Sequence, residues 1–93
     1  MKTFNYLEYK FSSYFRIEVT DKYGVLSSIT NILAKNKISI KRLLQIPNKK
    51  NKTASIIIIT HKSFEKNYIN CINDLKKSRF VLKKPRYIRI ENT

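Results

Sequence analysis

At 93 residues the chain has room for one domain and one core, but not for a nucleotide-binding unit and a substrate unit together. Its 42% apolar and 12% aromatic residues exclude general disorder, despite 20 Lys and Arg against 6 Asp and Glu and a formal charge of +14. No apolar run approaches the ~20 residues of a membrane span, and Met1–Tyr6 lacks the apolar stretch of a signal peptide, so no membrane partner is expected.

The basic residues are scattered from Lys10 and Lys35 to Lys66 and Lys84, with no long block and no single basic helix face. The composition therefore reads as a general bias toward Lys, Asn and Ile more than as a nucleic-acid patch. Cys71 is the lone cysteine. It admits no intramolecular disulfide, fits a reducing cytoplasm and is expected as a buried or half-buried thiol in a helix.

Residues 1–12 precede any pattern and are read as an N-terminal extension, or the stump of a preceding domain; the domain itself is placed at 13–92. From Tyr14 to Thr20, Phe15, Ile17 and Val19 alternate with Tyr14, Arg16 and Glu18, which predicts a half-buried strand. Asp21-Lys22-Tyr23-Gly24 breaks it. Val25, Ile29, Ile32 and Leu33 then follow helical spacing as far as Asn36-Lys37. Ile38, Ile40 and Leu43–Ile46 read as a second strand, bulged near Lys41-Arg42.

Pro47–Lys52 is the polar tip of a hairpin, and Thr53–Thr60 is its returning strand. The run Ile56–Ile59 predicts a strand covered on both faces, central in a sheet or set in an oligomer interface. Ser63 is the expected cap of a second helix, with Phe64, Tyr68, Ile69, Ile72 and Leu75 as its apolar stripe and Lys76-Lys77 at its end. Glu65 and Asp74 are expected on its surface as solvated ion-pair partners. A last strand spans about Phe80–Glu91, with Pro85 at an edge or bend. The order is βαββαβ, an α+β ferredoxin-like arrangement: a four-stranded antiparallel sheet with two helices on one face.

Gly24, the sole glycine, stands where the first strand passes into the first helix. A glycine there permits a tight turn and close approach of a ligand to the main chain. The unpaired amides of the helix start suit a carboxylate, and Asp21 suits an ammonium group. Together they match the two charges of a free amino acid. The same residues also serve simply to shape a turn, so spacing leaves both readings open.

The segment Asp21-Lys22-Tyr23-Gly24-Val25-Leu26 resembles the D-[KR]-x-G-V-L signature of ACT domains, and Ile29–Ile40 resembles the helix and strand that follow it. Over about residues 14–91 the chain is similar to the C-terminal ACT domain of bacterial homoserine dehydrogenase. The supporting segments are Tyr14-Phe15-Arg16, Ile38-Ser39-Ile40-Lys41, Gln45, Thr60-His61 and Ile88-Arg89-Ile90-Glu91. Two positions depart from the family's common pattern: Tyr23 where proline is usual and Lys37 where glycine often stands.

The resemblance implies a regulatory domain that binds a small amino acid, threonine first. Its contacts would come from Asp21, Lys22, Tyr23, Gly24, Val25 and Leu26, with Ser39 and Ile40 facing them. It further implies homo-oligomers formed through the sheet, with effector sites at the seam, and association with a dehydrogenase catalytic part. That family interconverts aspartate semialdehyde and homoserine with NAD(P), on the route to threonine and methionine. The NAD(P) site would belong to the catalytic part, so no cofactor and no activity of its own are expected of this chain.

One glycine supplies neither a dinucleotide-binding loop nor a P-loop. His61 is the only histidine and has no second His or Cys at ligand spacing, so no metal site is expected. Two alternatives remain. One is a basic RNA-binding module of the same topology, with Tyr14 and Tyr87 as stacking platforms; against it, the third strand lacks aromatics and the RNP motif. The other is a dimerisation module with a non-functional ligand site.

Overall fold

The computed structural model describes residues 9–90. In β1 (Lys10–Thr20) alternation decides orientation: Phe11, Ser13, Phe15, Ile17 and Val19 turn inward and are buried, while their neighbours face out. Six elements follow: α1 (Val25–Lys35), β2 (Ile40–Asn48), β3 (Thr53–Thr60), β4 (Ser63–Phe64), α2 (Glu65–Lys77) and β5 (Arg86–Ile90). One edge of β1 pairs antiparallel with β3, from Tyr14↔Ile59 to Thr20↔Thr53. β2 pairs with the far edge of β3, with a bulge at Lys41 as the sequence suggests. The other edge of β1 carries β5 (Ser12↔Ile90 to Arg16↔Arg86) and, beyond it, the two-residue β4 at Lys10 and Phe11.

The main strand order is thus β2-β3-β1-β5, all antiparallel, the ferredoxin-like arrangement expected. Both helices lie against the inward face. Val25, Ile29 and Leu33 of α1 and Tyr68, Cys71 and Leu75 of α2 join Phe15, Ile17, Ile56 and Ile58 in one buried cluster. Burying each large apolar side chain of this kind stabilises the fold by about 1.5–3 kcal/mol. Asp74 helps join the helices: it accepts from Asn36 Nδ2 at 3.0 Å and lies 3.9 Å from Lys35 Nζ. It is a partner of the other helix, not of its own lysines.

A polar chain threads the core. The Ser13 amide donates to Thr60 Oγ1 at 2.9 Å, and Thr60 Oγ1 lies 2.8 Å from the Tyr68 hydroxyl. That hydroxyl is 2.6 Å from the Phe11 carbonyl. A phenol has one proton and a carbonyl has none, so Tyr68 donates to Phe11 and Thr60 donates to Tyr68. The chain links β1, β3 and α2 through three bonds.

Several element boundaries differ from the sequence reading. β1 starts at Lys10, four residues before Tyr14, because Phe11 is a core residue whose ring lies tilted 4.9 Å from that of Tyr68. Ser63 does not cap α2. It is drawn into β4, Phe64 takes the cap position without a side-chain bond, and the Ser63 hydroxyl instead accepts from Asn67 Nδ2 at 3.1 Å. Ile69 is exposed and Cys71 takes its place on the buried stripe.

The last strand is confined to Arg86–Ile90. Phe80–Pro85 approach β1 only through an isolated bridge, Val19↔Val81, and neighbouring backbone bonds. β3 is central as expected, yet helices cover only its Ile56 and Ile58 side. Ile57 and Ile59 are half-buried by neighbouring strands on the outer face.

Candidate functional site at the first turn

β1 ends where its backbone is tied on both sides. The Thr20 amide donates to Phe80 O and the Asp21 amide to Lys52 O, each at 2.9 Å. The chain then reverses through Lys22 and Tyr23 into Gly24, which adopts φ 82° and caps α1 by accepting from the Ser28 amide at 2.9 Å. Glycine is favoured here by that left-handed backbone. Crowding plays no part, since a Cβ at this position would meet no atom within 4 Å. The open space is the condition a ligand needs to reach the main chain.

The first amides of α1 follow directly on this turn. Val25 N–H makes a long bond of 3.3 Å to Lys22 O, and no side chain caps the helix. The amides of Gly24, Leu26 and Ser27 carry no hydrogen bond among the described residues. Such N–H groups at the positive end of a helix are a socket for a carboxylate. From Gly24 an open groove of about 410 Å³ runs along α1, lined by Ser27, Ser28, Asn31, Ile32 and Lys35.

Of the residues singled out in the sequence, Asp21, Lys22, Tyr23 and Gly24 form the exposed turn. Leu26 is partly exposed beside it, and Val25 is buried beneath it as a core residue. Ser39 and Ile40 do not join them within one chain. Ile40 pairs with Thr60, at the opposite end of β3 from the Thr20↔Thr53 pair beside the turn. Seven residue steps of strand separate the two ends, roughly 23 Å.

Ser27, Ser28, Asn31 and Lys35 line the groove but lie outside the turn signature that marks the site in the sequence. Their spacing behind Gly24 marks the helix face turned away from Val25, Ile29 and Leu33. That polar stripe was readable from the sequence.

The aromatic platform needed for RNA stacking is incomplete. Tyr14 faces outward, but Tyr87 turns into the core, stacked on Phe15 at 5.8 Å and on Tyr68 at 5.3 Å. Burial pushes the Tyr87 phenol up, and the Cys71 thiol is pushed up to about 12 by burial and then by Asp74. A thiol held in that form is a packing group, not a nucleophile.

Comparison with known proteins identifies the family. The ACT domain family model matches residues 13–79. Homoserine dehydrogenase of Helicobacter pylori is 39% identical over 79 residues, 85% of this chain and 19% of that protein. The enzyme of Methylobacillus glycogenes is 35% identical over 84% of this chain and 19% of its own length. The chain therefore spans about a fifth of the curated relatives it matches.

Among solved structures, homoserine dehydrogenase from Thiobacillus denitrificans superposes with a TM-score of 0.82 at 30% identity, over 96% of this chain and 19% of that one. The ACT domain from GTP pyrophosphokinase of Chlorobium tepidum shares the fold, with a TM-score of 0.69 at 19% identity, over 86% of this chain and all of that one. The chain belongs to the ACT domain family.

Proposed function

We propose that the chain is an amino-acid-sensing regulatory module. The observation that carries this reading is the turn at Gly24, where unpaired amides open onto free space beside an exposed carboxylate. Those amides receive the α-carboxylate of a free amino acid, and Asp21 receives its ammonium group. The groove along α1 takes the side chain, with Ser28 and Asn31 as its polar contacts; a small hydroxylated amino acid such as threonine fits that chemistry.

Ser39 and Ile40 reach this site only from a second copy of the chain. The uncovered edge strand β2 offers a route to pairing, with Leu44 and Ile46 exposed by 53% and 47%. The module regulates a homoserine dehydrogenase catalytic part, which holds the NAD(P) and performs the chemistry. This chain's single glycine supplies no dinucleotide loop.

Isothermal titration of the purified chain with threonine, serine, isoleucine, methionine and lysine tests the reading. One of the small amino acids releases heat and Asp21→Ala weakens its binding. Absence of heat and of any thermal shift at millimolar concentration would leave only dimerisation as the module's role. The exposed apolar side chains of β2 would then be its functional surface.

A further inference from the structure

At the end of the molecule opposite Gly24, Lys10, Lys37, Lys62 and Lys66 line a cavity of about 270 Å³ together with Ser63, Phe64 and Asn67. Among the described residues no acidic side chain lines it. Among the described residues, none of the four ammonium groups has a carboxylate within ion-pair distance. Two of them are held in place: Lys10 Nζ lies 5.1 Å and Lys66 Nζ 5.7 Å from the centre of the Phe64 ring, a cation–π arrangement that gathers like charges on one support. The cavity floor is built as well, since Asn67 Nδ2 donates to Ser63 Oγ and the Ser63 hydroxyl approaches the Lys37 carbonyl at 3.4 Å.

Lys37 is the most informative of the four. It follows the cap of α1 in the left-handed conformation, φ 62°, where its amide bonds Ala34 O and the Ile38 amide bonds Leu33 O. That closing motif is made most cheaply by glycine, so a lysine here retains its side chain against a backbone preference. Lys37 lines the cavity.

We infer that this four-lysine cavity binds a small anion carrying two or more phosphoryl groups. Four lysines without an ion-pair partner among the described residues, set around a space just below the usual size of a drug-sized ligand pocket, suit a compact ligand of high charge density. Lysine serves phosphoryl oxygens as a point charge. A single carboxylate would leave most of the charge uncompensated. The site is separate from the Gly24 groove and does not depend on amino-acid binding there.

Titration with inorganic pyrophosphate and with orthophosphate, in an amine buffer at low salt, tests the assignment. Pyrophosphate binds one per chain and more tightly than orthophosphate, which spans fewer lysines. Lys37→Gly lowers its affinity about fivefold while the melting temperature holds or rises, because glycine relieves the left-handed backbone. A Lys10→Gln/Lys62→Gln double variant loses tenfold or more.

A Lys49→Gln/Lys50→Gln variant removes the same charge from the hairpin tip and changes affinity less than twofold. Equal losses in the two double variants would show attraction to the overall charge and overturn the site. So would an absence of pyrophosphate binding, or single-stranded RNA binding through the cavity lysines where pyrophosphate does not bind.

Discussion

Tyr68 shows how much one polar atom holds in this core. Its hydroxyl gives its proton to the Phe11 carbonyl and takes one from Thr60, whose oxygen also receives the Ser13 amide. Tyr68→Phe keeps the ring contacts with Phe11, Phe15 and Tyr87 but leaves a buried carbonyl and a buried hydroxyl without that partner. The expected loss is about 1–3 kcal/mol, read from urea unfolding midpoints at constant m-value. Conversion of Thr60 to Val in the same background costs less than in the parent, because the two groups act as one unit.

Cys71 carries a pH signature. Its thiol is pushed up to about 12 in the folded state, from an ordinary unfolded value near 8.5. Burial favours the neutral thiol, so the folded state keeps its proton where the unfolded state loses it. This contribution is intact below about pH 8.5 and declines as pH rises from there toward 12. A Cys71→Ser variant shows a shallower loss of stability over that window. Alkylation of the parent by iodoacetamide near pH 8 proceeds only through opening of α2, so its rate follows unfolding.

At the scale of elements, the outer face of the sheet is tied by Glu18. It accepts from Ser55 Oγ across the strand pair at 2.6 Å and from Arg16 Nε at 3.0 Å. The Ser55 hydrogen bond, followed by Arg16, holds the Glu18 carboxyl below its usual range. The folded state thus prefers the carboxylate: its contribution is present above about pH 4 and lost as pH falls below that. Ser55→Ala raises the apparent Glu18 pKa and flattens the acid limb of the stability profile, both measurable by carboxyl NMR titration.

The hairpin tip offers the opposite lever. Lys52 sits at φ 55°, and Lys52→Gly is expected to raise stability by about 0.5 kcal/mol, the net of relieved left-handed strain and added unfolded-chain freedom.

Elements with a clean period were legible from residue order alone. The alternation of Phe15, Ile17 and Val19 and the helical spacing of Val25, Ile29 and Leu33 report burial directly, because one face of each element must leave water. What was not legible depends on long-range pairing. Ser63 has the chemistry of a cap, but Phe11 offers its strand edge and β4 forms instead. Tyr87 alternates like an outward residue until Phe15 and Tyr68 provide an aromatic seat inside. The turn at Gly24 was visible because glycine adopts its left-handed backbone most readily. The separation of Ser39 from it was not, since that follows from which ends of β3 the two neighbours meet.

For the whole molecule, one ACT domain presents its two ends to different chemistry. The Gly24 end offers amides and a carboxylate; the Lys37 end offers ammonium groups with no ion-pair partner among the described residues. The formal charge of +14 opposes self-association at low salt, so the proposed pairing through β2 is expected to strengthen as ionic strength rises toward physiological values. Sedimentation equilibrium across a salt series checks this, and Leu44→Lys keeps the chain monomeric throughout. No helix among the described residues is long and apolar enough to cross a membrane.

The most direct test of amino-acid sensing is a titration of the isotopically labelled chain with threonine, following backbone amide resonances. The account predicts the largest shifts at Gly24, Leu26 and Ser27, with smaller ones at Ser39 and Ile40 that appear only where the chain is dimeric. Resonances at the turn that stay fixed while another region responds, or a spectrum unmoved at millimolar threonine, serine and isoleucine, would contradict it.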